Sequence, residues 1–196
     1  RIGVEAGAIL ALYGSISSVS YGVPNVLSTA AMATGSKHLG EARWSVLLWT
    51  LRFFHWFALG CGLLFALVLL TQRDAIVNLF SNNTEYPGFL ELIDEVWPLF
   101  IVAQPVYALI AVLGPLLVTT QNYVYWGKVV ALCFVAVYVP VTAVASARSS
   151  LLLVMLGDLL YNVAHVALLV WKVTHLEMGE IAKKARADAA LAGPDS

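Results

Sequence analysis

The stretch that decides the fold covers residues 97–118 and reads WPLFIVAQPVYALIAVLGPLLV. Its 22 residues include no Asp, Glu, Lys or Arg, and about 20 residues of helix cross the hydrocarbon core of a bilayer. Because lipid offers no hydrogen-bond partner to an open backbone, a stretch of this kind is expected to be helical. It therefore predicts a transmembrane helix.

Four further stretches have similar length and composition. They cover residues 6–34, 46–70, 129–147 and 151–171. The 196-residue chain is 60% hydrophobic and 12% charged, whereas soluble domains contain roughly 45–50% apolar and 25% charged residues. The sequence therefore predicts an all-α, polytopic membrane helix bundle of about five transmembrane helices over residues 1–173. Residues 174–196 are expected to form a cytoplasmic tail, helical at first and then disordered.

The charged residues indicate how the chain lies in the membrane. Eleven Lys and Arg against twelve Asp and Glu give a net charge of -1, which excludes nucleic-acid binding through a basic surface. Five spans put the two ends on opposite sides, and cytoplasmic loops carry an excess of Lys and Arg. A cytoplasmic C-terminus places Lys37, Arg43, Lys128, Lys172, Lys183, Lys184 and Arg186 inside, against Arg1, Arg73 and Arg148 outside. We therefore expect an integral protein of the plasma membrane or of an organelle membrane, with its C-terminus cytoplasmic and the lipid bilayer as its first partner.

Four local features follow from this orientation. Residues 35–43, which include two glycines, are expected to form a short cytoplasmic loop. Residues 73–80 are expected to form a short amphipathic helix at the outer surface. The sequon at Asn82 lies on the same outer side, where a glycosylation acceptor belongs. Arg52 lies about two turns inside the second span, close enough to reach the cytoplasmic surface beside neighbouring tryptophans.

Proline interrupts the predicted spans repeatedly. Pro24 lies in the first span, Pro98, Pro105 and Pro115 lie in the third, and Pro140 lies in the fourth. A proline inside a helix lacks the backbone N–H and frees the carbonyl four residues earlier, so a neighbouring helix or a wet cavity must satisfy that carbonyl. Broken helices that carry polar residues are typical of transporters.

The fifth predicted span carries an acidic residue. Asp158, Tyr161, Asn162 and His165 stand at i, i+3, i+4 and i+7, which places them on one helical face. A carboxylate inside the bilayer is costly, so it must face protein or water, and it suggests a role in ion or substrate movement with Asn162 or His165 as its partner. The alternative is a hydrogen-bonded structural network, or an acid hydrated near the outer surface. Both interpretations stay open.

The candidate substrate or ion pathway consists of the polar residues inside the spans. They are Ser17, Tyr21, Asn25, Gln104, Tyr107, Asp158, Asn162 and His165. A small amphiphilic substrate would suit such anchors beside the aromatic residues of the second and third spans. The chain has no HExxH, no GxSxG, no paired cysteine set and no glycine-rich phosphate loop. We therefore expect a protein that is not an enzyme, with no catalytic residues, no metal site and no cofactor.

Several short motifs resemble one family of transporters. They are the Leu39-Gly40 pair that follows a run of small residues, the turn Ile76-Val77-Asn78-Leu79-Phe80-Ser81, Gln104-Pro105 with Gly114, and Gln121-Asn122-Tyr123-Val124-Tyr125. In order and spacing they resemble the carboxyl-terminal lobe of a MATE (multidrug and toxic compound extrusion) transporter, in its DinF-like branch. The resemblance covers residues 1 to about 173.

The resemblance implies twelve helices in two six-helix lobes, of which this chain would supply helices eight to twelve. Such a protein exports organic cations or other amphiphiles in exchange for H⁺ or Na⁺ by alternating access. Since the chain begins with Arg1 and an apolar span follows at once, we expect a fragment whose partner is the amino-terminal lobe of the same protein. The acid that Na⁺-coupled relatives carry on the tenth helix would fall at about Tyr107, so the coupling ion stays open.

Two other functions fit the same sequence. One is a related flippase of lipid-linked oligosaccharides, for which a long basic cavity would be expected, although only the second span carries a Lys or Arg. The other is a membrane scaffold without transport, in which the polar faces only hold helices together. Composition does not separate a scaffold from an antiporter, whereas ion-dependent efflux does.

Overall fold

The computed structural model describes residues 4–80, 88–120 and 122–192. These residues form eight α-helices and contain no strand. The helices are α1 Val4–Gly40, α2 Trp44–Thr71, α3 Arg73–Phe80, α4 Phe89–Thr119, α5 Tyr123–Cys133, α6 Val139–Arg148, α7 Leu151–Trp171 and α8 Met178–Ala192. A π-helical segment, Phe134–Tyr138, joins α5 to α6, and a second, Lys172–Glu177, joins α7 to α8. The Asn82 sequon lies outside the described residues.

Five helical stretches of the described residues are long and apolar enough to cross a membrane. They are Glu5–Gly40, Trp44–Thr71, Phe89–Thr119, Tyr123–Arg148 and Leu151–Ala187. Each contains one of the five predicted spans, so the predicted all-α polytopic bundle is confirmed. The short helix expected after the second span is also present, as α3.

The loop expected over residues 35–43 is wrong for its first six residues, which continue α1 to Gly40. Polar residues can extend a helix beyond the hydrocarbon, because water satisfies their side chains there. The chain turns at Ala42, whose φ of 55° is left-handed and does not continue a right-handed helix. The true connection between α1 and α2 is therefore only three residues long.

Helix α4 is the centre of the bundle. It packs against α1, α2 and α7, and more than half of the residues in its most apolar part are buried. Its contact with α2 is close because Gly62 lies against Pro105, where an added Cβ would come within 2.5 Å of the proline Cα. The three prolines of α4 thus lie in the most buried of the five spans, where neighbouring helices can satisfy the freed carbonyls.

The fourth span is irregular just before Pro140. Val139 donates its backbone N–H to the carbonyl of Phe134, five residues earlier, which closes a π turn. Pro140 follows directly and has no N–H to donate. Such π turns absorb one extra residue within an otherwise α-helical run.

Buried side chains divide the bundle into layers along α4 and α7. One apolar cluster includes Ile93 and Phe100 of α4 with Met155 of α7. A second, further along both helices, includes Leu113 and Leu169. Between them lies a small cluster that includes Tyr107 of α4. The polar residues of this middle layer are therefore enclosed by apolar packing on both sides.

Candidate functional site

The middle layer is built around the carboxylate of Asp158. Asp158 lies two turns into α7 and is half-buried. The hydroxyl of Tyr13 donates a hydrogen bond of 2.8 Å to its Oδ2 atom, and the hydroxyl of Tyr107 donates to the same oxygen. The two hydroxyls also lie within hydrogen-bond distance of each other. We call Tyr13, Tyr107 and Asp158 the carboxylate cluster.

Three helices supply the carboxylate cluster, since Tyr13 belongs to α1, Tyr107 to α4 and Asp158 to α7. Aromatic packing fixes the tyrosines. The ring of Tyr21 lies 5.4 Å from the ring of Tyr107 between centroids, and the ring of Phe100 lies 4.8 Å from that of Tyr13. The arrangement can hold an anionic carboxylate inside the bundle, because two O–H donors replace part of its lost hydration.

Within the described part of the chain, no Lys, Arg or His forms an ion pair with Asp158. An acid in the membrane usually pairs with a basic group or accepts strong hydrogen bonds. Here the hydrogen bonds alone compensate the charge. The carboxylate therefore stays available to a proton or to a cationic group that reaches it.

The prediction that Asn162 or His165 of α7 is the partner of the Asp158 carboxylate is wrong. Asn162 is buried, but its side-chain amide donates to the backbone carbonyl of Asp158 at 2.7 Å and not to the carboxylate. His165 is also buried, its ring packs 5.9 Å from that of Tyr161, and its Nε2 atom has no hydrogen-bond partner. The Asn162 amide lies one turn after Asp158 on the same helix, so it reaches the backbone carbonyl of Asp158 easily. The Asp158 carboxylate points across the bundle to its hydrogen-bond donors on α1 and α4.

The remaining predicted residues lie at different places. Ser17 is half-buried on α1, and its Oγ atom has no hydrogen-bond partner. Asn25 is exposed, and its backbone carbonyl accepts hydrogen bonds from the hydroxyls of Ser28 and Thr29. Gln104 is fully buried, and its Nε2 atom donates to the carbonyl of Phe100 at 2.7 Å. Of the predicted set, the structure thus brings Tyr21, Tyr107 and Asp158 together.

Sequence reasoning missed Tyr13. It meets the same criterion as the selected residues, because it is polar and lies inside the first span. It also stands four residues before Ser17 and eight before Tyr21, on the same side of α1. This spacing places Tyr13 on the face of α1 that carries the selected residues Ser17 and Tyr21.

The sequence matches the protein-family model named MatE over residues 1–144. A search of curated proteins finds no match for the chain. The matched region covers α1 to α5 and most of α6, which is nearly three quarters of the chain, and it ends before α7. Asp158 therefore lies beyond the matched region, while Tyr13 and Tyr107 lie within it. With that extent of match, the chain belongs to the MatE family.

Proposed function

We propose that this integral membrane protein is a secondary antiporter that exports organic cations or other small amphiphiles in exchange for H⁺ or Na⁺. Proteins of the MatE family are transporters, which supports transport as the general function. The substrate class and the coupling ion are our inference from the residues inside the bundle. The carboxylate cluster is the single observation on which the proposed antiport rests.

The carboxylate cluster suits an exchange of ligands at one acid. Asp158 is half-buried between apolar layers, and its hydrogen-bond donors come from two other helices. A proton or an organic cation that binds the carboxylate competes with these donors. Binding at Asp158 therefore changes the contacts that α7 makes with α1 and α4. Alternating access requires such a link between occupancy and helix position.

The donor set supports H⁺ over Na⁺ as the coupling ion. Hard cations are bound by several oxygen lone pairs, whereas both tyrosine hydroxyls direct their protons to the Asp158 oxygen. A proton needs only the carboxylate itself. In this proposal the protonated acid releases the tyrosine hydroxyls, and the deprotonated acid recovers them.

We further propose that residues 1–173 form helices eight to twelve of the carboxyl-terminal lobe of a DinF-like member, with a cytoplasmic tail over residues 174–196. The number of spans and the excess of basic residues at one end support this placement. The amino-terminal lobe of the same protein would then complete the pathway. Asn25, Ser17 and Tyr21 on α1, together with Gln104, Asn162 and His165, are the further residues that we place along it.

The proposal is tested by efflux from proteoliposomes that contain the full-length gene product. Release of a fluorescent organic cation is followed after a pH gradient or a Na⁺ gradient is imposed. We expect the pH gradient to drive efflux and Asp158→Asn to reduce it at least tenfold. The matched control is Asp94→Asn, which neutralises an exposed acid near the start of α4 and should leave efflux within twofold.

Two results would contradict the proposal in different ways. Full efflux in Asp158→Asn would keep an antiporter but remove Asp158 from the ion pathway. Absence of efflux under either gradient, from wild-type protein shown to be folded by circular dichroism, would reject the antiporter itself.

A further inference from the structure

A groove on the exposed face of α2 is lined by four aromatic residues and one arginine. It is lined by Trp49, Arg52, Phe53, Trp56 and Phe57, and we call it the Arg52 groove. All five side chains are exposed, and the rings of Trp49 and Phe53 stack with their centroids 5.4 Å apart. The carboxylate cluster involves α1, α4 and α7, so the Arg52 groove is a separate surface.

Arg52 directly precedes the charge-free part of α2. Residues 53–72 contain no Asp, Glu, Lys or Arg, a run of 20 residues that ends at Arg73. At about 1.5 Å of rise per residue this run is about 30 Å long, which equals the usual thickness of the hydrocarbon core. Arg52 and Arg73 therefore bound this charge-free run. Arg52 stands about two turns inside the second predicted span, and its long side chain lets the guanidinium reach the depth of the lipid phosphate and glycerol groups.

The residues that the structure describes provide no partner for this guanidinium. Among the described residues, Arg52 has neither a hydrogen bond nor an ion pair, and α2 contains no acidic residue. Glu41, the nearest acid before α2, already contacts Arg43 at 3.3 Å. An unpaired guanidinium beside hydrocarbon is costly, and its planar group of five N–H donors fits the oxygens of a phosphate.

We propose that the Arg52 groove binds the phosphate of an anionic phospholipid. The guanidinium holds two phosphate oxygens, and the exposed rings of Trp49 and Trp56 flank the glycerol and the upper acyl chains, as aromatic residues do at membrane surfaces. The preference for an anionic lipid follows from the positive charge of Arg52. Lys184 of α8 adds a positive charge near the start of α2, with its ammonium 4.5 Å from the centre of the Trp44 ring, beside the acids Glu41 and Glu180. This binding requires no transport and goes beyond the proposed function.

The experiment measures lipid binding directly. The full-length gene product in detergent micelles is titrated with dioleoylphosphatidylglycerol or dioleoylphosphatidylcholine, and bound lipid is counted by native mass spectrometry. We expect the wild type to bind phosphatidylglycerol more tightly than phosphatidylcholine. R52Q should weaken the tightest phosphatidylglycerol binding roughly tenfold, as for the loss of a charge-assisted hydrogen-bonded pair.

The matched control is R148Q, which removes an exposed arginine in the last turn of α6. Arg148 is not part of the Arg52 groove. It should bind phosphatidylglycerol like the wild type. Equal binding by R52Q and wild type, or equal weakening in both variants, would overturn the proposal. If R52Q does not fold, Trp56→Leu serves as the second variant, because it removes one wall of the groove and keeps the charge. Unchanged phosphatidylglycerol binding in Trp56→Leu would then reject the groove as the site.

Discussion

The hydrogen bonds of the carboxylate cluster predict how three substitutions combine. Tyr13 and Tyr107 both donate to one oxygen of Asp158. A hydrogen bond to a charged group contributes about 1.5–3 kcal/mol and one between neutral groups about 0.5–1.5 kcal/mol, while bonds between membrane helices average about 0.6 and reach about 1.7 kcal/mol. We therefore expect Tyr107→Phe to lower the free energy of unfolding by about 1–1.5 kcal/mol.

The double and background variants make the expectation specific. With Tyr107→Phe alone, the Tyr13 hydroxyl still donates to the carboxylate. With both tyrosines replaced, the half-buried carboxylate loses both of these donors, so the combined loss should exceed the sum of the single losses by about 1 kcal/mol. In the Asp158→Asn background the acceptor is neutral, and the cost of Tyr107→Phe should fall to about half.

The measurement is reversible unfolding of the full-length gene product in mixed detergent and SDS micelles, followed by circular dichroism. Tyr123→Phe is the control, because Tyr123 is exposed at the start of α5, and it should change the free energy of unfolding by less than about 0.5 kcal/mol. If Tyr107→Phe costs the same in the wild-type and Asp158→Asn backgrounds, the tyrosine does not stabilise the carboxylate, and the reasoning fails.

Two further predictions concern the packing that positions the carboxylate cluster. Gly62→Ala should lower the free energy of unfolding by about 1–3 kcal/mol, because the new methyl group meets the backbone of Pro105. The control Gly60→Ala should be neutral or slightly stabilising, because no atom lies near the position of its new methyl group. Equal effects of the two substitutions would refute the close contact. Ser150→Ala should cost about 1 kcal/mol, since the Ser150 hydroxyl accepts the backbone N–H of Leu153 at the start of α7, and an unchanged unfolding curve would show that this N-cap adds no stability.

The fold was largely predictable because lipid restricts the choices. A backbone that crosses hydrocarbon must satisfy its own polar groups, so charge-free stretches of about 20 residues identify helices whatever their packing. The same logic fails outside the hydrocarbon. Residues 35–40 include three polar residues and two glycines, yet they continue α1, since water accommodates either a helix or a loop there. The π turn before Pro140 was also not predicted, because one extra residue in a helix leaves no clear mark on an apolar sequence.

The carboxylate cluster was only partly predictable, for a geometric reason. Helical periodicity shows which residues share a face of one helix, and it correctly put Asp158 on the face of Asn162 and His165. Periodicity says nothing about the helix opposite. The donors to Asp158 lie on α1 and α4, which are distant in sequence.

Depth in the membrane is the sequence signal that points to those donors. The first, third and fifth predicted spans run in the same direction, so positions at equal distance from their starts lie at similar depth. Tyr13 is 7 residues into the first span, Tyr107 is 10 residues into the third and Asp158 is 7 residues into the fifth, which corresponds to depths of about 10, 15 and 10 Å. A buried acid needs donors at its own depth. Matching polar residues by depth among spans of one direction therefore keeps Tyr13 and Tyr107 as candidate donors, together with Gln104 and serines of the first span, and excludes Asn25, which lies about 28 Å from the start of its span.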